Sequence, residues 1–276
     1  MRLTELKASN KILLADNRII YCLRKDLYLY LLILPGVLLT FIFGYLTIPG
    51  LVVAFQDYDM LLGVFKSPWA GLKHIKEFFE LPMITSSIWN TLKLSIYMLI
   101  IGFPAPIILS LLLNELKDGI FKRTVQTVSY VPYFFSWITV IALFYSFVSE
   151  YGIINELRVL IFGEGTQRIL FMAKQELFVF NILILTLWKE TGWGTIVYLA
   201  ALSTINPELY EAAWMDGANK IQQLYYITLP GIFSTAAVLL IFRLGGLFSS
   251  NFELVYGLQN PFINFEVIST LVFKSG

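Results

Sequence analysis

Three ionisable side chains stand in the middle of long apolar stretches of this sequence. Lys189 and Glu190 lie near the middle of segment 178–201, and Arg243 lies near the middle of segment 231–250. A charged group at membrane depth is costly, so by default it marks a polar pathway or an internal ion pair. Both interpretations stay open for Lys189 and Arg243, whereas the pathway is favoured for Glu190.

Polar and aromatic side chains recur at helical spacing around these charges, so each segment carries one polar stripe. Such a stripe supplies hydrogen-bonding groups and flat aromatic faces, which anchor ligands in mostly apolar cavities. The predicted substrate-pathway residues are Thr186, Trp188, Lys189, Glu190, Trp193, Arg243 and Ser250.

The residue types needed for catalysis or metal binding are nearly absent. The chain has one cysteine, Cys22, and one histidine, His74, so we predict no disulfide and no metal site. A membrane-embedded enzyme remains an alternative, but it would need His, Cys or paired carboxylates near an interface. A glycine-rich loop followed by Lys and Ser or Thr is the motif that holds a nucleotide's phosphates, and the sequence contains no such motif. We expect no catalytic residue and no bound cofactor, so any ATP-driven step would fall to another polypeptide.

The composition places the chain in a membrane. Of its 276 residues, 57% are hydrophobic and 14% are charged, and the mean hydropathy is +0.72. The net charge of +1 gives no reason to expect nucleic acid as a partner. Spanning the hydrocarbon layer takes roughly 20 apolar residues in a helix. Five segments qualify, which predicts an all-α polytopic bundle in contact with membrane lipid: 27–48, 88–113, 130–148, 178–201 and 231–250.

Basic residues set the predicted orientation. The N-terminal tail, residues 1–26, is rich in Lys and Arg, so the positive-inside rule places it in the cytoplasm. Alternation of the spans then puts the loop 202–230 on the cytoplasmic side as well. We therefore expect a multi-pass membrane protein whose N-terminus lies in the cytoplasm. The basic residues of the tail are Arg2, Lys7, Lys11, Arg18, Arg24 and Lys25.

The polar loop contains two predicted helices around a glycine. Asn206 followed by Pro207 is typical of a helix start, and Gly217 is suited to end that helix in a left-handed conformation. Asn219 and Gln222 have the spacing of a capping box for a second helix, which Pro230 ends or turns into the next span. An amphipathic connector resting on the inner membrane surface is the alternative, but the loop has a single basic residue.

At these residues the sequence resembles the permease signature of bacterial ATP-binding-cassette (ABC) importers. The signature reads "EAA", three residues, "G", nine residues, "I", one residue, "LP". The resemblance implies a coupling loop that docks into a separate ATPase, with ATP and Mg²⁺ on that partner, and the permease fold of type I importers. The residues it implies for ATPase coupling are Glu211, Ala212, Ala213, Asp216, Gly217, Ile227, Leu229 and Pro230.

Several flanking stretches are similar to the oligosaccharide or polysaccharide branch of these permeases. They are "WNTLKLS" at 89–95, "VPYFFSWITV" at 131–140, "YGIINEL" at 151–157 and "LWKETGWGTIVYLAAL" at 187–202. This resemblance covers roughly residues 85–275. It implies a heterodimer with a second permease, two ATPase subunits, an extracellular solute-binding protein and a sugar substrate. The same machinery importing a polyamine or phosphate is the alternative.

The resemblance also predicts the division of the chain. We expect a cytoplasmic tail at 1–26, a first transmembrane helix with an outer loop at 27–84, and a permease core at 85–276 that contains the coupling loop 203–230. Permeases of this kind have a sixth span after "ISTLVF", so we expect a C-terminal helix of about thirty residues to be missing.

Overall fold

A computed structural model describes residues 25–275 of the chain. Within that range the structure is helical and has no strand, apart from one isolated antiparallel bridge between Gln56 and Trp69. The all-α prediction is therefore confirmed. The basic tail before residue 25, on which the orientation depends, lies outside the described residues. The chain divides into two compact units, Met1–Glu80 and Leu81–Gly276.

The first unit contains a long apolar helix. Helix α1 (Leu27–Thr40) continues through a π turn (Phe41–Tyr45), and a 3₁₀ helix follows it (Ile48–Phe55). No residue along this length is buried, and apolar side chains point outward all round. A helix that is apolar on every side is suited to lipid. Two short helices follow, α2 (Gly63–Lys66) and α3 (Lys73–Glu80).

The second unit is a helical bundle built around one long helix, α9. Its first part contains α4 (Pro82–Tyr97), a π turn (Met98–Gly102), α5 (Pro104–Glu115), α6 (Ile120–Tyr130), a 3₁₀ turn (Val131–Phe134), α7 (Trp137–Val148) and α8 (Ile153–Phe162). Its second part contains α9 (Gln175–Ser203), α10 (Pro207–Met215), α11 (Lys220–Gln223), a π turn (Leu224–Thr228), α12 (Leu229–Gly245), α13 (Phe252–Leu258) and α14 (Ile268–Ser275). Helix α9 packs against α5, α6, α12 and α13.

Two apolar clusters hold α9 at its two ends. The first surrounds Phe178 and Ile182 and includes buried side chains of α4, α7 and α13. The second surrounds Tyr198 and Leu202 and includes Ile232 of α12, with partly buried side chains of α5 packed against it. The middle of α9, where Lys189 and Glu190 lie, falls between the two clusters.

Four of the five predicted spans overlap helical stretches whose length and composition would let them cross a membrane. Among residues 25–275, four helical stretches are long and apolar enough to cross a membrane: Leu27–Phe55, Pro82–Glu115, Trp137–Phe162 and Lys220–Gly245. Helix α9 has 29 residues, which is sufficient length, but it is not among those four. Its polar side chains are tolerable because neighbouring helices, rather than lipid, surround much of it.

Two predicted span boundaries were wrong. The third span was predicted at 130–148, but the chain turns at Val131–Phe134 and α7 begins at Trp137. The helix begins there because the Ser136 side chain caps its first turn by accepting a hydrogen bond from the Thr139 amide. The fifth span was placed at 231–250, but α12 ends at Gly245, so Ser250 lies outside the helix on which its stripe was drawn.

Two of the π turns end two residues before a proline. The turn Met98–Gly102 precedes Pro104, and the turn Leu224–Thr228 precedes Pro230. A proline in a helix removes one hydrogen bond and clashes with the carbonyl one turn earlier, and a π turn there relieves that conflict. Pro230 therefore does not end the helix: one continuous helical rod runs from Lys220 to Gly245.

Candidate functional site

A polar cavity lies between α4, α9 and α12 in the second unit. Arg243 Nη2 lies 3.6 Å from Glu190 Oε2, and both side chains are partly exposed to the cavity. Thr186 and Ser250 line the same space, which has a volume of about 230 Å³. The structure thus brings together Thr186, Glu190, Arg243 and Ser250, four of the residues predicted for the substrate pathway.

Aromatic side chains border the adjoining cavity, which has a volume of about 310 Å³. Trp193 and Tyr133 line it, and their rings stack in parallel, with centroids 4.5 Å apart and an interplanar angle of 5°. Phe134 meets Trp193 edge-on at 5.5 Å. Thr186, Glu190 and Arg243 also line this second cavity, so the ion pair and the aromatic wall lie side by side.

Two predicted pathway residues do not line these cavities. Lys189 is buried, and its ammonium donates hydrogen bonds of 2.6 Å to the carbonyl oxygens of Tyr133 and Phe135. Trp188 faces a separate groove beside Val128 and Pro132. Successive residues of a helix point about 100° apart, so Lys189 and Trp188 cannot share the face of Glu190. Helical spacing alone did not decide which of the neighbours faces the cavity.

Tyr133 is a cavity residue that the sequence analysis did not single out. It comes directly after Pro132 in the 3₁₀ turn Val131–Phe134, between α6 and α7. The available signal was Pro132 inside a segment taken as a continuous span, since the residue before a proline is restricted and helices tend to end there. An aromatic pair next to such a break can project into a cavity rather than into lipid.

The coupling segment, defined here as residues 206–228, folds as two capped helices. Asn206 caps α10 by accepting a hydrogen bond from the Glu208 amide at 3.1 Å. Gly217 has φ +81° and ends α10, with the amide of Ala218 donating to Ala213 O at 2.8 Å and its own amide donating to Trp214 O at 3.0 Å. This is the Schellman pattern of a helix C-terminus. The predicted helix start and left-handed glycine are confirmed.

The second helix of the coupling segment begins with a complete capping box. The Asn219 side chain accepts from the Gln222 amide, and the Gln222 side chain accepts from the Asn219 amide. The hydroxyls of Tyr210 and Thr228 meet at 3.0 Å and join α10 to the π turn. These bonds fix the turn between the two helices, so the segment is a preformed shape rather than a loose loop.

The coupling segment is anchored to the bundle and open on its other side. Leu229 packs against the second apolar cluster, while Glu211 and Ala212 are exposed. Trp214 and Met215 are 71% and 78% exposed. Asp216 and Pro230 are exposed as well, whereas Ala213 and Ile227 are half-buried. A surface of small and apolar side chains beside carboxylates is suited to contact with another protein.

Two long helices connect the coupling segment to the cavity. Helix α9 ends at Ser203, shortly before the segment, and carries Glu190 near its middle. The rod Lys220–Gly245 begins in the segment and carries Arg243 near its far end. At 1.5 Å per residue, Ile221 and Arg243 are about 33 Å apart along that rod. Both helices thus join the segment to the part of the bundle that holds the Glu190–Arg243 pair.

The architecture is that of a membrane transport permease: a helical bundle with apolar spans, a polar cavity inside it, and a rigid exposed segment joined to the helices that line the cavity. The family model for "Binding-protein-dependent transport system inner membrane component" matches residues 102–261. The chain belongs to this family of ABC transporter permeases.

Relatives and solved structures support the assignment over most of the chain. Protein LplB of Bacillus subtilis (strain 168) is 43% identical over 257 residues, covering 92% of this chain and 80% of LplB. The polygalacturonan/rhamnogalacturonan transport system permease protein YteP of the same organism is 42% identical over 263 residues, covering 94% and 81%. A crystal structure of a bacterial ABC transporter involved in the import of the acidic polysaccharide alginate matches with a TM-score of 0.83 and 36% identity, covering 93% of this chain and 86% of that chain.

Proposed function

We propose that this chain is one of two permease subunits of an ATP-driven importer that takes up oligosaccharides or polysaccharide fragments. An extracellular binding protein delivers the substrate, and two copies of a separate ATPase bind ATP and Mg²⁺ and drive the cycle. The chain itself carries no catalytic site.

The N-terminus of the chain is cytoplasmic in this proposal, and labelling of Cys22 with a membrane-impermeant maleimide tests that orientation. Modification only after the membrane is opened supports it, and modification of intact cells contradicts it.

The observation that carries the proposal is the Glu190–Arg243 pair beside the Tyr133–Trp193 wall. A pyranose presents hydroxyl groups at its rim and an apolar face, so it needs charged or polar anchors next to flat aromatic side chains. The 3.6 Å separation of the pair is long for a charge-assisted hydrogen bond, and both groups are partly exposed. They therefore have donor and acceptor capacity left for substrate hydroxyls.

The size of the cavities is the reason to include a second permease. Their volumes of about 230 and 310 Å³ lie below and at the lower limit of the usual range for ligand sites, and both cavities are open. An oligosaccharide of several rings needs more lining than this chain supplies. A partner permease facing the same space would complete the pathway.

The relatives favour a polysaccharide-derived substrate over a polyamine or phosphate. YteP is named for polygalacturonan/rhamnogalacturonan transport, and the solved alginate transporter is also known in complex with a periplasmic protein that holds an alginate pentasaccharide. Arg243 supplies a cation that could pair with the carboxylate of an acidic sugar. A ligand screen on the companion binding protein separates the classes, since binding of a polyamine or phosphate but no oligosaccharide would contradict the proposal.

Substitutions in the cavity test the site directly. Glu190→Ala and Trp193→Ala are expected to reduce oligosaccharide uptake while the transporter assembles normally. Trp188→Ala is the matched control, because that indole faces a separate groove. Uptake by Glu190→Ala and Trp193→Ala equal to that of the unmodified protein, at equal membrane levels, would show that the cavity is not the pathway.

A further inference from the structure

One face of α9 holds the turn between α6 and α7. Lys189, Gly192 and Thr195 recur every three residues on this face, and each contacts the segment Ser129–Phe135. A Cβ built at Gly192 would overlap the carbonyl oxygen of Ser129, so the two backbones touch there. The Thr195 hydroxyl lies 3.5 Å from the hydroxyl of Tyr130 and is fully buried. The three residues form a seam along which the turn segment is fixed.

Lys189 is the charged member of this seam, and its surroundings are unusual. The side chain is 6% exposed, and the ammonium donates to two carbonyl oxygens at 2.6 Å each. It also lies 5.3 Å from the centroid of the Tyr133 ring and 5.2 Å from that of the Trp137 ring. Within residues 25–275 no carboxylate lies within 4.0 Å of it. Within the described residues, carbonyl oxygens and aromatic faces are the groups that contact the ammonium.

The two carbonyl oxygens belong to residues on either side of Phe134, at the point where the 3₁₀ turn leads into α7. By donating hydrogen bonds to both carbonyl oxygens, Lys189 fixes the backbone direction of Tyr133. The backbone direction in turn limits where the Tyr133 ring can lie. That ring is the one that stacks on Trp193 at 4.5 Å and lines the cavity with Glu190. Lys189 therefore acts on the cavity wall without reaching the cavity itself.

We propose that Lys189 is a positioning residue for transport: its ammonium holds the turn Val131–Phe135 so that the Tyr133 ring lies flat against Trp193 and forms the wall against which a sugar ring is carried. The proposal rests on the proposed import of oligosaccharides and adds a specificity role to it. Lys189 does not pair with the substrate, even if the substrate is acidic.

The transport test compares Lys189→Met with Lys174→Met. Methionine keeps most of the apolar stem of Lys189 but cannot donate to the two carbonyl oxygens. Lys174 is exposed at the start of α9 and serves as the matched control. For Lys189→Met we expect a rise in KM for oligosaccharide uptake of about threefold to tenfold, the effect of weakening one aromatic contact, with the maximal rate largely kept. Combining Lys189→Met with Tyr133→Ala should add little to the effect of Tyr133→Ala alone, because both act through the same ring.

A labelling test reads the position of the turn without any sugar. In a Cys22→Ser background, Phe135→Cys reports on the turn, and Glu150→Cys reports on the exposed turn at the other end of α7. Lys189→Met should increase the rate of maleimide modification at position 135 several-fold and leave position 150 unchanged. If Lys189→Met does not accumulate in the membrane, Lys189→Gln, whose amide is too short to reach both carbonyl oxygens, is measured with the same expectation.

The outcomes separate this proposal from the proposed function. Unchanged labelling at position 135, or an unchanged KM together with additive effects of Lys189→Met and Tyr133→Ala, overturns the positioning role. A loss of maximal rate without any change in KM also overturns it, because that would indicate a purely structural role. If the unmodified transporter takes up no oligosaccharide but labelling at position 135 rises as expected, the proposed function fails and the positioning of the turn stands.

Discussion

Gly217 offers the sharpest test of the coupling segment, because a single methyl group perturbs it in a calculable way. Its φ is +81°, and a Cβ there would meet no atom within 4 Å. Gly217→Ala therefore introduces no clash, and its whole effect is the strain of a left-handed alanine, about 1–2 kcal/mol. The mutant relieves that strain by opening the turn between α10 and α11, which removes the preformed docking surface.

The expected loss of docking follows from that strain. A penalty of about 1–2 kcal/mol corresponds to about a fivefold to thirtyfold weaker affinity of the ATPase for the permease. Gly217→Asn should weaken binding less, because asparagine tolerates the left-handed conformation better than alanine. Gly163→Ala is the control: Gly163 has φ +97° and ψ +164°, a conformation that alanine tolerates even less, and open space for a Cβ, but it lies in the turn after α8, far along the chain from the coupling segment.

The assay measures binding of the purified ATPase to the permease complex in nanodiscs, together with substrate-stimulated ATP hydrolysis. Gly217→Ala should lower both, Gly217→Asn should lower them less, and Gly163→Ala should leave both at the level of the unmodified protein. Equal losses for Gly217→Ala and Gly163→Ala would mean general destabilisation, and unchanged binding by Gly217→Ala would refute the docking role of the turn.

Three further predictions concern packing, charge and pH. Gly192→Ala should lower the free energy of unfolding by about 1–3 kcal/mol or prevent assembly, because the added Cβ overlaps the carbonyl oxygen of Ser129. Gly36→Ala, at a position in α1 with open space for a Cβ, should be tolerated. Thermal unfolding in detergent measures both variants. Arg243→Gln should reduce the uptake efficiency of acidic oligosaccharides by about tenfold to a hundredfold and that of neutral oligosaccharides less. Competition uptake assays measure the difference, and equal losses for the two classes would contradict a contact between Arg243 and a substrate carboxylate. Burial alone would raise the pKa of Glu266, but hydrogen bonds from Lys274, Thr270 and Gln259 outweigh burial and hold that pKa below its ordinary value. The ionised carboxylate therefore stabilises the fold above pH 4.5, and this contribution is lost as the pH falls through the lower pKa of the folded state. Melting temperatures across this range should fall less for Glu266→Gln than for the unmodified protein, and parallel curves would contradict the assignment.

The coupling segment could be read from the sequence because its structure is local. Asn206, Gly217 and Asn219 are signals whose effect is decided within a few residues, and each acts in the structure as the sequence indicated. Capping and left-handed turns depend on backbone groups one turn away, so tertiary packing has little chance to override them. The docking role of the segment stays a prediction.

The cavity was only partly predictable because it is assembled from distant parts of the chain. Glu190 and Arg243, both predicted for the pathway, lie in one cavity, because a charged group in an apolar helix is costly unless it faces a polar space or an opposite charge. Lys189 and Trp188 were misplaced, because a stripe defined by spacing tolerates an error of one residue, which turns a side chain by about 100°. Tyr133 was missed because the turn that presents it lay inside a segment read as continuous helix.

The span limits failed for a related reason. A hydropathy average over about 19 residues does not detect single residues that begin or end a helix. Ser136 caps the start of α7, and the pair Gly245 and Gly246 stands at the end of α12. Pro230 could be taken either as a stop or as part of the next span. The helix continues through Pro230 because a π turn precedes it. A π turn depends on hydrogen-bond geometry, which the amino-acid composition does not reveal.

Reconstituted transport is the most direct test of the central claim. The permease pair and its ATPase are incorporated in proteoliposomes, and uptake of labelled oligosaccharides is followed with ATP inside and the binding protein outside. Uptake should require both ATP and the binding protein, and it should fall in Glu190→Ala. Uptake that proceeds without ATP, or a transporter that moves a polyamine or phosphate but no oligosaccharide under these conditions, would contradict it.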